Sequence, residues 1–399
     1  MKNQLQPLAI LLSGLLSCQS GPGIEGPIAS GYKVSSTAYL ANDDSRRIYE
    51  GVKSFWETNF SKQRLNGGVL VAYKGEIIFE QYDGFEKYRS AKSNPVSPST
   101  AFHVASVSKT ITATAVLQLW QEKKLDLSDE VTRYLPTFPV KGVTLRLLLN
   151  HRSGLPNYVH YMEQLGWNRQ KRMTNRDVLD FLVKRYKEIN LRKPDTHFSY
   201  SNTNYALLAL VIEKVTGTSY PEYIRTKFFE PLGMKDSYVF TPGDSLHALP
   251  SYYYYGRTYA VDYLDWVYGD KNIYSTPRDL LKFDQALKNQ ELIAPETQQA
   301  AYSPYSFERP GINNYGLGWR MQVLKNGKKI IYHNGWWHGN RATFVRLLDE
   351  EATIIALCNN DCKKIYSLKK LADVFGNYFG PGELSDDEDN STVQQTRRA

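Results

Sequence analysis

Strand-like sequence lies at both ends of this chain and helix-like sequence lies between. Residues 67–73 and 76–82 are rich in β-branched and aromatic residues, and Lys74-Gly75 between them is a hairpin signal. Past Tyr315 the strand pattern returns at 329–333, 342–348 and 352–358. Between them, from about 126 to 290, the apolar spacing is mostly helical; 175–186 and 204–215 are good examples, the latter closed by Gly217. Helical spacing also marks 43–60, 106–125 and 365–379. The economical fold is of the α+β type. One antiparallel sheet is built from both chain ends, flanked by helices, with an inserted all-helical lobe at about 126–290.

The expected folded unit is 41–380. Ahead of it, Lys2 and the apolar run 7–17 read as an export signal, too short to cross a bilayer. Leu15-Leu16-Ser17-Cys18 resembles the lipobox of bacterial lipoproteins. That resemblance implies removal of 1–17, lipid on the Cys18 sulfur and a location in the cell envelope, periplasmic or outer-membrane in a Gram-negative source. Residues 18–40, rich in Gly, Ser and Pro, read as a tether to the membrane, and 381–399 as a disordered polar tail. The formal charge is +8, but Lys and Arg are scattered, so no patch for nucleic acid is expected. Besides Cys18 the chain has Cys358 and Cys362, a pair close enough for a small disulfide loop in an exported protein.

Chemistry begins at Ser106-Val107-Ser108-Lys109. Helical positions i and i+3 share a face, so the hydroxyl and the amine can meet. A serine hydroxyl needs a base, and an amine serves as one where burial or nearby positive charge weakens its hold on its own proton. Spacing alone is a poor guide, because Ser367 and Lys370 repeat it on the last predicted helix. There the apolar face is 365, 368, 372 and 375, so that copy reads as solvated surface.

Context separates the two. Phe102-His-Val-Ala-Ser-Val-Ser-Lys109 resembles the nucleophile motif of the serine β-lactamase and penicillin-binding protein superfamily. Tyr200-Ser201-Asn202 resembles its second motif and His333-Asn334-Gly335 its third. The order and spacing match the branch of class C β-lactamases, DD-carboxypeptidases and esterases. Leu148-Leu-Asn-His-Arg-Ser-Gly-Leu-Pro156, Pro231-Leu-Gly-Met234, Tyr274-Ser-Thr276 and Tyr315-Gly-Leu-Gly-Trp319 add to the resemblance.

The resemblance implies a serine hydrolase acting through a Ser106 acyl-enzyme on an ester, an amide or a D-amino-acid peptide, cell-wall fragments among them, with no cofactor. Ser106 would attack the carbonyl, Lys109 and Tyr200 would share proton transfer, and Asn202 would orient the lysine and a substrate amide. His333 and Asn334 would shape the strand that receives substrate, and the N–H groups of Ser106 and Trp336 would hold the oxyanion. Gly335 would let substrate backbone approach that strand. Histidine in the third motif, where β-lactamases carry lysine, points away from a dedicated β-lactamase. A non-catalytic sensor using the same cleft is the competing class.

Other candidates read as structural. His333 and His338 have no acid or cysteine cluster at metal-ligand spacing, so no metal is expected. His151 reads as a hydrogen-bonding residue of the interior. The aromatic stretch from Tyr252 to Tyr268 reads as packing between lobes or as a cleft wall, and Trp336 and Trp337 as candidates for an active-site wall. Lys325-Asn326-Gly327 imitates the third motif but reads as a turn.

Overall fold

The computed structural model describes residues 32–34, 42–61 and 65–379. The expected export signal, Cys18 and the expected polar tail therefore lie outside the described residues. Eleven strands are present among those described: β1 (Tyr32–Val34), β2 (Gly67–Tyr73), β3 (Glu76–Asp83), β4 (Phe102–His103), β5 (Tyr238–Val239), β6 (Ile273–Ser275), β7 (Asn313–Tyr315), β8 (Arg320–Val323), β9 (Lys329–Trp337), β10 (Asn340–Leu347) and β11 (Ala352–Cys358). Eight form an antiparallel sheet in the order β1-β3-β2-β11-β10-β9-β8-β7. The two chain ends meet where β2 zips to β11, with Leu70 opposite Ile355 and Val71 opposite Ile354. Strands β2, β10 and β11 are buried along their whole length, as the centre of a sheet covered on both faces requires. β1 takes up three residues of the stretch read as a tether, as an edge strand on β3.

Each face of the sheet has its own core. On one, the helix Asp43–Phe60 lays down Ile48, Val52, Trp56 and Phe60, a single stripe at i, i+4 spacing. Asn42 caps it, its side chain accepting from the Ser45 N–H at 2.7 Å. The C-terminal segment packs beside it through Ile365, Leu368, Ala372 and Phe375, the face expected from the sequence. Its geometry differs from the expected helix over 365–379. It is a 3-10 stretch, Lys363–Leu371, followed by one α turn, Ala372–Phe375. Gly376 is extended, and Asp373 then accepts the N–H groups of Tyr378 and Phe379, each at 3.0 Å.

The opposite face carries the helix Ser108–Gln121, whose residues from Ser108 to Leu117 are all buried. Beyond it the central segment holds Asn175–Arg185, closed at its N-terminus by a Thr174–Asp177 capping box, and Asn202–Thr216, ended by Gly217 at φ 69°. That segment is not purely helical. β5 and β6 lie within it, and β6 pairs with both β4 and β5 in a three-stranded sheet, order β4-β6-β5. Tyr238–Val239 and Ile273-Tyr274 are β-branched and aromatic pairs too short to show a period, which is why spacing missed them.

The Lys74-Gly75 turn is as expected, both residues at positive φ (52° and 87°). Lys325-Asn326-Gly327 likewise forms the turn between β8 and β9, with the Gly327 N–H on the Leu324 carbonyl at 3.0 Å. Cys358 and Cys362 are free, buried thiols. Among the described residues no helix is long and apolar enough to cross a membrane.

Candidate active site

The segment that carries Ser106 is held in place before its helix begins. The Val104 N–H bonds the Ile273 carbonyl at 2.9 Å, fastening the end of β4 to β6. Ala105 then takes a left-handed conformation, φ 49°, rare for a residue with a side chain. A 3-10 turn, Ala105–Val107, carries Ser106, and the α-helix starts two residues later than its first expected position, at Ser108. Ser106 is half-buried between buried neighbours, its hydroxyl at the start of a buried helix.

Lys109 lies one turn on and is fully buried. Its Nζ donates to Ser106 Oγ at 3.1 Å, to Asn202 Oδ1 at 2.8 Å and to the Asp270 carbonyl at 2.6 Å. All three partners are neutral oxygens. The ring of Tyr200 lies 5.0 Å from Nζ and that of Tyr205 lies 5.6 Å away. Lys109, Ser106, Tyr200 and Asn202 thus form one cluster, with the two motifs brought together across the boundary between sheet and lobe.

Two buried histidines set the orientation of this cluster. His151 Nδ1 accepts the Ser201 N–H at 3.2 Å and faces Asn204 Nδ2 at 3.1 Å, so it pins the start of the Asn202–Thr216 helix. Its ring packs 4.3 Å from that of Tyr200. His333 Nδ1 faces the carbonyl of Asn334 at 2.7 Å, so Nδ1 carries the proton and Nε2 accepts from the Tyr315 hydroxyl at 3.1 Å. Burial, followed by the nearby cations, holds both histidines well below the ordinary imidazole range. Arg320, the first residue of β8, stands over the Tyr200 ring at 5.1 Å.

The third motif lies on β9, which runs on to Trp337 rather than stopping at 333 because β10 pairs it to the turn. β8 pairs β9 only as far as Tyr332, so the edge from His333 to Trp337 is open on that side. His333, Gly335 and Trp337 share one face of the strand. A Cβ on Gly335 would come 2.3 Å from the Val104 carbonyl, so the strand presses against the nucleophile turn where only glycine fits. Trp336 sits opposite Arg341, one step back from the two-residue turn at 338–339. In such a ladder the pair beside the turn exchanges hydrogen bonds and the next does not, which aims the Trp336 N–H at the open edge. Its indole turns to the other face, under the Arg341 guanidinium at 4.7 Å. The Asn334 side chain is engaged by Thr343 Oγ1 at 2.8 Å.

Several participants were not legible in the sequence. The Asp270 carbonyl is a backbone group, with no side-chain signal. Asp262 and Asp265 come together with His338, all three offering ligand atoms within 4.8 Å of one another, which corrects the reading that His338 has no acidic company. Only the fold joins residues so far apart in sequence. Asp265 Oδ1 already accepts from Trp337 Nε1 at 2.5 Å and faces His338 Nε2 at 2.9 Å, and Oδ2 accepts the Asp262 N–H at 2.7 Å. Burial works to raise the Asp265 carboxyl, but the bond and charge of His338 together with the bonds from the Asp262 N–H and Trp337 outweigh it and hold it below the usual range. Burial likewise works against the charge on His338, and Asp265 raises it. The aromatic stretch is partly interior and partly a ring stack on the His338 turn. Tyr252 and Tyr263 are buried, while Tyr253 stacks on Tyr259 at 3.6 Å and Tyr259 on His338 at 5.3 Å.

The repeated serine–lysine spacing does not converge. Ser367 Oγ turns to the Lys364 carbonyl at 2.8 Å, and Lys370 is exposed.

Comparison with known proteins identifies the family. The family described as Beta-lactamase matches residues 50–364. The chain belongs to the β-lactamase family. It is a serine hydrolase of that family. Penicillin-binding protein 4* of Bacillus subtilis (strain 168) is 33% identical over 326 residues, covering 78% of this chain and 71% of the relative. Teichoic acid D-alanine hydrolase of Staphylococcus aureus is 29% identical over 286 residues, covering 67% of this chain and 68% of that protein. Among solved structures, the octameric penicillin-binding protein homologue from Pyrococcus abyssi superposes with a TM-score of 0.68 at 24% identity. It covers 81% of this chain and 77% of its own, and shows the shared β-lactamase fold.

Proposed function

We propose that this serine hydrolase transfers an acyl group, D-aminoacyl groups included, from an ester or amide to Ser106 and then to water. The observation that carries the reading is Lys109 Nζ, buried and touching both Ser106 Oγ and Asn202 Oδ1 beside the Tyr200 ring. Ser106 Oγ attacks the carbonyl carbon while its proton passes to the Lys109–Tyr200 pair. The oxyanion is received by the N–H groups of Ser106 and Trp336. Collapse breaks the bond to the leaving group, which takes a proton from Tyr200. Water then attacks the acyl-enzyme by the reverse route, releasing the acid and restoring Ser106.

Ester and D-aminoacyl substrates are favoured over β-lactams on physical grounds. Burial keeps His333 neutral, so the third motif offers no charge to a β-lactam carboxylate where a lysine would. One relative bears the name teichoic acid D-alanine hydrolase and another that of a penicillin-binding protein. A panel of p-nitrophenyl esters, D-alanyl esters, D-alanyl-D-alanine peptides and nitrocefin tests this. Turnover of esters well above nitrocefin is expected; nitrocefin as the best substrate overturns the ranking. No labelling by fluorophosphonate or fluorescent penicillin would mean a non-catalytic cleft.

We also propose that the protein is exported and lipid-anchored at Cys18. The Leu15-Leu16-Ser17-Cys18 sequence behind an apolar run supports this. Cys18→Ser should leave a soluble or uncleaved product, and unchanged membrane retention would refute the anchor.

A further inference from the structure

A chain of hydrogen bonds joins the two backbone segments expected to hold the oxyanion. It starts at Asp265, whose carboxylate holds Trp337 Nε1 and His338 Nε2, the two residues that follow Trp336. The Asp265 backbone carbonyl accepts from Asn272 Nδ2 at 2.7 Å. Asn272 Oδ1 faces His103 Nε2 at 3.0 Å, and His103 Nδ1 lies 3.1 Å from the Ala105 nitrogen. The direction of every bond is forced. The Ala105 N–H can only donate, so Nδ1 accepts and the proton of the neutral ring sits on Nε2. Nε2 then donates to Asn272 Oδ1, and the Asn272 amide donates to Asp265.

The same chain touches three residues in left-handed backbone: Ala105 at φ 49°, Asn272 at 74° and His338 at 50°. Such conformations persist where the surroundings over-determine them. Ala105 immediately precedes Ser106, and His338 ends the hairpin that presents Trp336. Two oxyanion donors must converge on one atom, and here they come from opposite ends of the sequence. From the same loop, the Asp270 carbonyl holds Lys109, and Lys271 lies 4.7 Å over the Trp337 ring.

We propose that Asp265, with its carboxylate on Trp337 and His338 and its carbonyl on the Asn272–His103 arm, is a positioning residue that sets the spacing between the Ser106 and Trp336 N–H groups. The proposal rests on the Ser106 acyl-enzyme reading and extends it to residues that touch no substrate. A metal is not its basis, since both Asp265 oxygens are already engaged by protein groups.

The test compares Asp265→Ala, Asp265→Asn, His103→Ala and His103→Asn with the wild type. Steady-state hydrolysis of a p-nitrophenyl ester, fluorophosphonate titration of active sites and thermal melting are measured on each. Asp265→Ala and His103→Ala should lower kcat by about 10- to 100-fold with KM within about twofold, since small misplacements near the reacting atoms act on kcat. His103→Asn places an oxygen where Nδ1 accepts the Ala105 N–H and should recover most of the loss. Full kcat in folded His103→Ala, a loss in KM alone, or no recovery in His103→Asn overturns the proposal. Where the alanine variants do not fold, Asp265→Asn decides: it keeps an acceptor for Trp337 but loses the charge facing His338. A lowered kcat supports positioning, and an unchanged one overturns it. A wild type that neither turns over nor labels overturns the acyl-enzyme reading and this proposal with it. Failure in the variants alone overturns only the positioning role.

Discussion

Ser106–Lys109 and Ser367–Lys370 share one spacing on helical backbone, yet only the first brings hydroxyl and amine into contact. At the first, three elements far apart in sequence supply oxygens to one buried lysine nitrogen: the Ser106 turn, the Asn202–Thr216 helix and the Asp270 carbonyl. At the second, the serine bonds its own helix and the lysine reaches into solvent. Spacing permits the contact, and a lysine is held beside a serine only where burial leaves it no water to prefer. The Ser106–Lys109 contact is therefore a property of what surrounds the pair.

The largest effect expected from this contrast is in Ser106→Ala, which should lower kcat by about 10⁴-fold or more and abolish fluorophosphonate labelling followed by mass spectrometry. Labelling that persists would move the nucleophile elsewhere. Next, Lys109→Ala should lower kcat on a p-nitrophenyl ester by about 10³-fold, in the upper range of general-base effects, with protein that still melts cooperatively. Gly335→Ala comes third. Its Cβ would meet the Val104 carbonyl at 2.3 Å, so strand and nucleophile turn must separate. A loss of about 10²-fold in kcat is expected, comparable to removing one oxyanion donor.

A fourth prediction concerns acid. Burial pushes His103 down to about 4, while an unfolded histidine titrates near 6.5. Between those values the unfolded chain binds the proton and the folded one does not, so stability is full above about pH 6.5 and falls as pH drops toward 4. The loss from His103 alone reaches about 3 kcal/mol. His151 and His333 act in the same direction, and His338, raised by Asp265, acts in the opposite one. Urea midpoints at pH 7 and pH 5 measure the net effect, and His103→Asn should flatten it. The smallest effect belongs to the second pair. Ser367→Ala and Lys370→Ala should leave kcat within about twofold and stability within about 0.5 kcal/mol.

What the sequence revealed follows the range of the forces involved. The stripe Ile48, Val52, Trp56 and Phe60 and the turn at Lys74-Gly75 are local, and both stand in the structure as read. Ser106, Lys109, Tyr200, Asn202 and His333 were legible because a family pattern keeps them in order along the chain. Asp265, Asn272 and His103 were not, because each acts through a bond to a residue distant in sequence and no period marks it. The strands β5 and β6 were missed for the same reason, being two and three residues long and defined by pairing, β6 with β4 and β5 with β6. The C-terminal segment buries the expected face with a tighter helical geometry, so its apolar pattern fixed what it covers better than how it winds.

The zipping of β2 to β11 bears on when this protein can fold. The first hairpin lies near the start of the domain and its neighbour in the sheet near the end, so the centre of the sheet cannot close until almost the whole domain has been synthesised. Until then the hairpin exposes one unpaired edge and the apolar residues that will later face two cores. A chain built this way remains open to unfolded handling during synthesis and commits to its native state late, when its last long strand arrives.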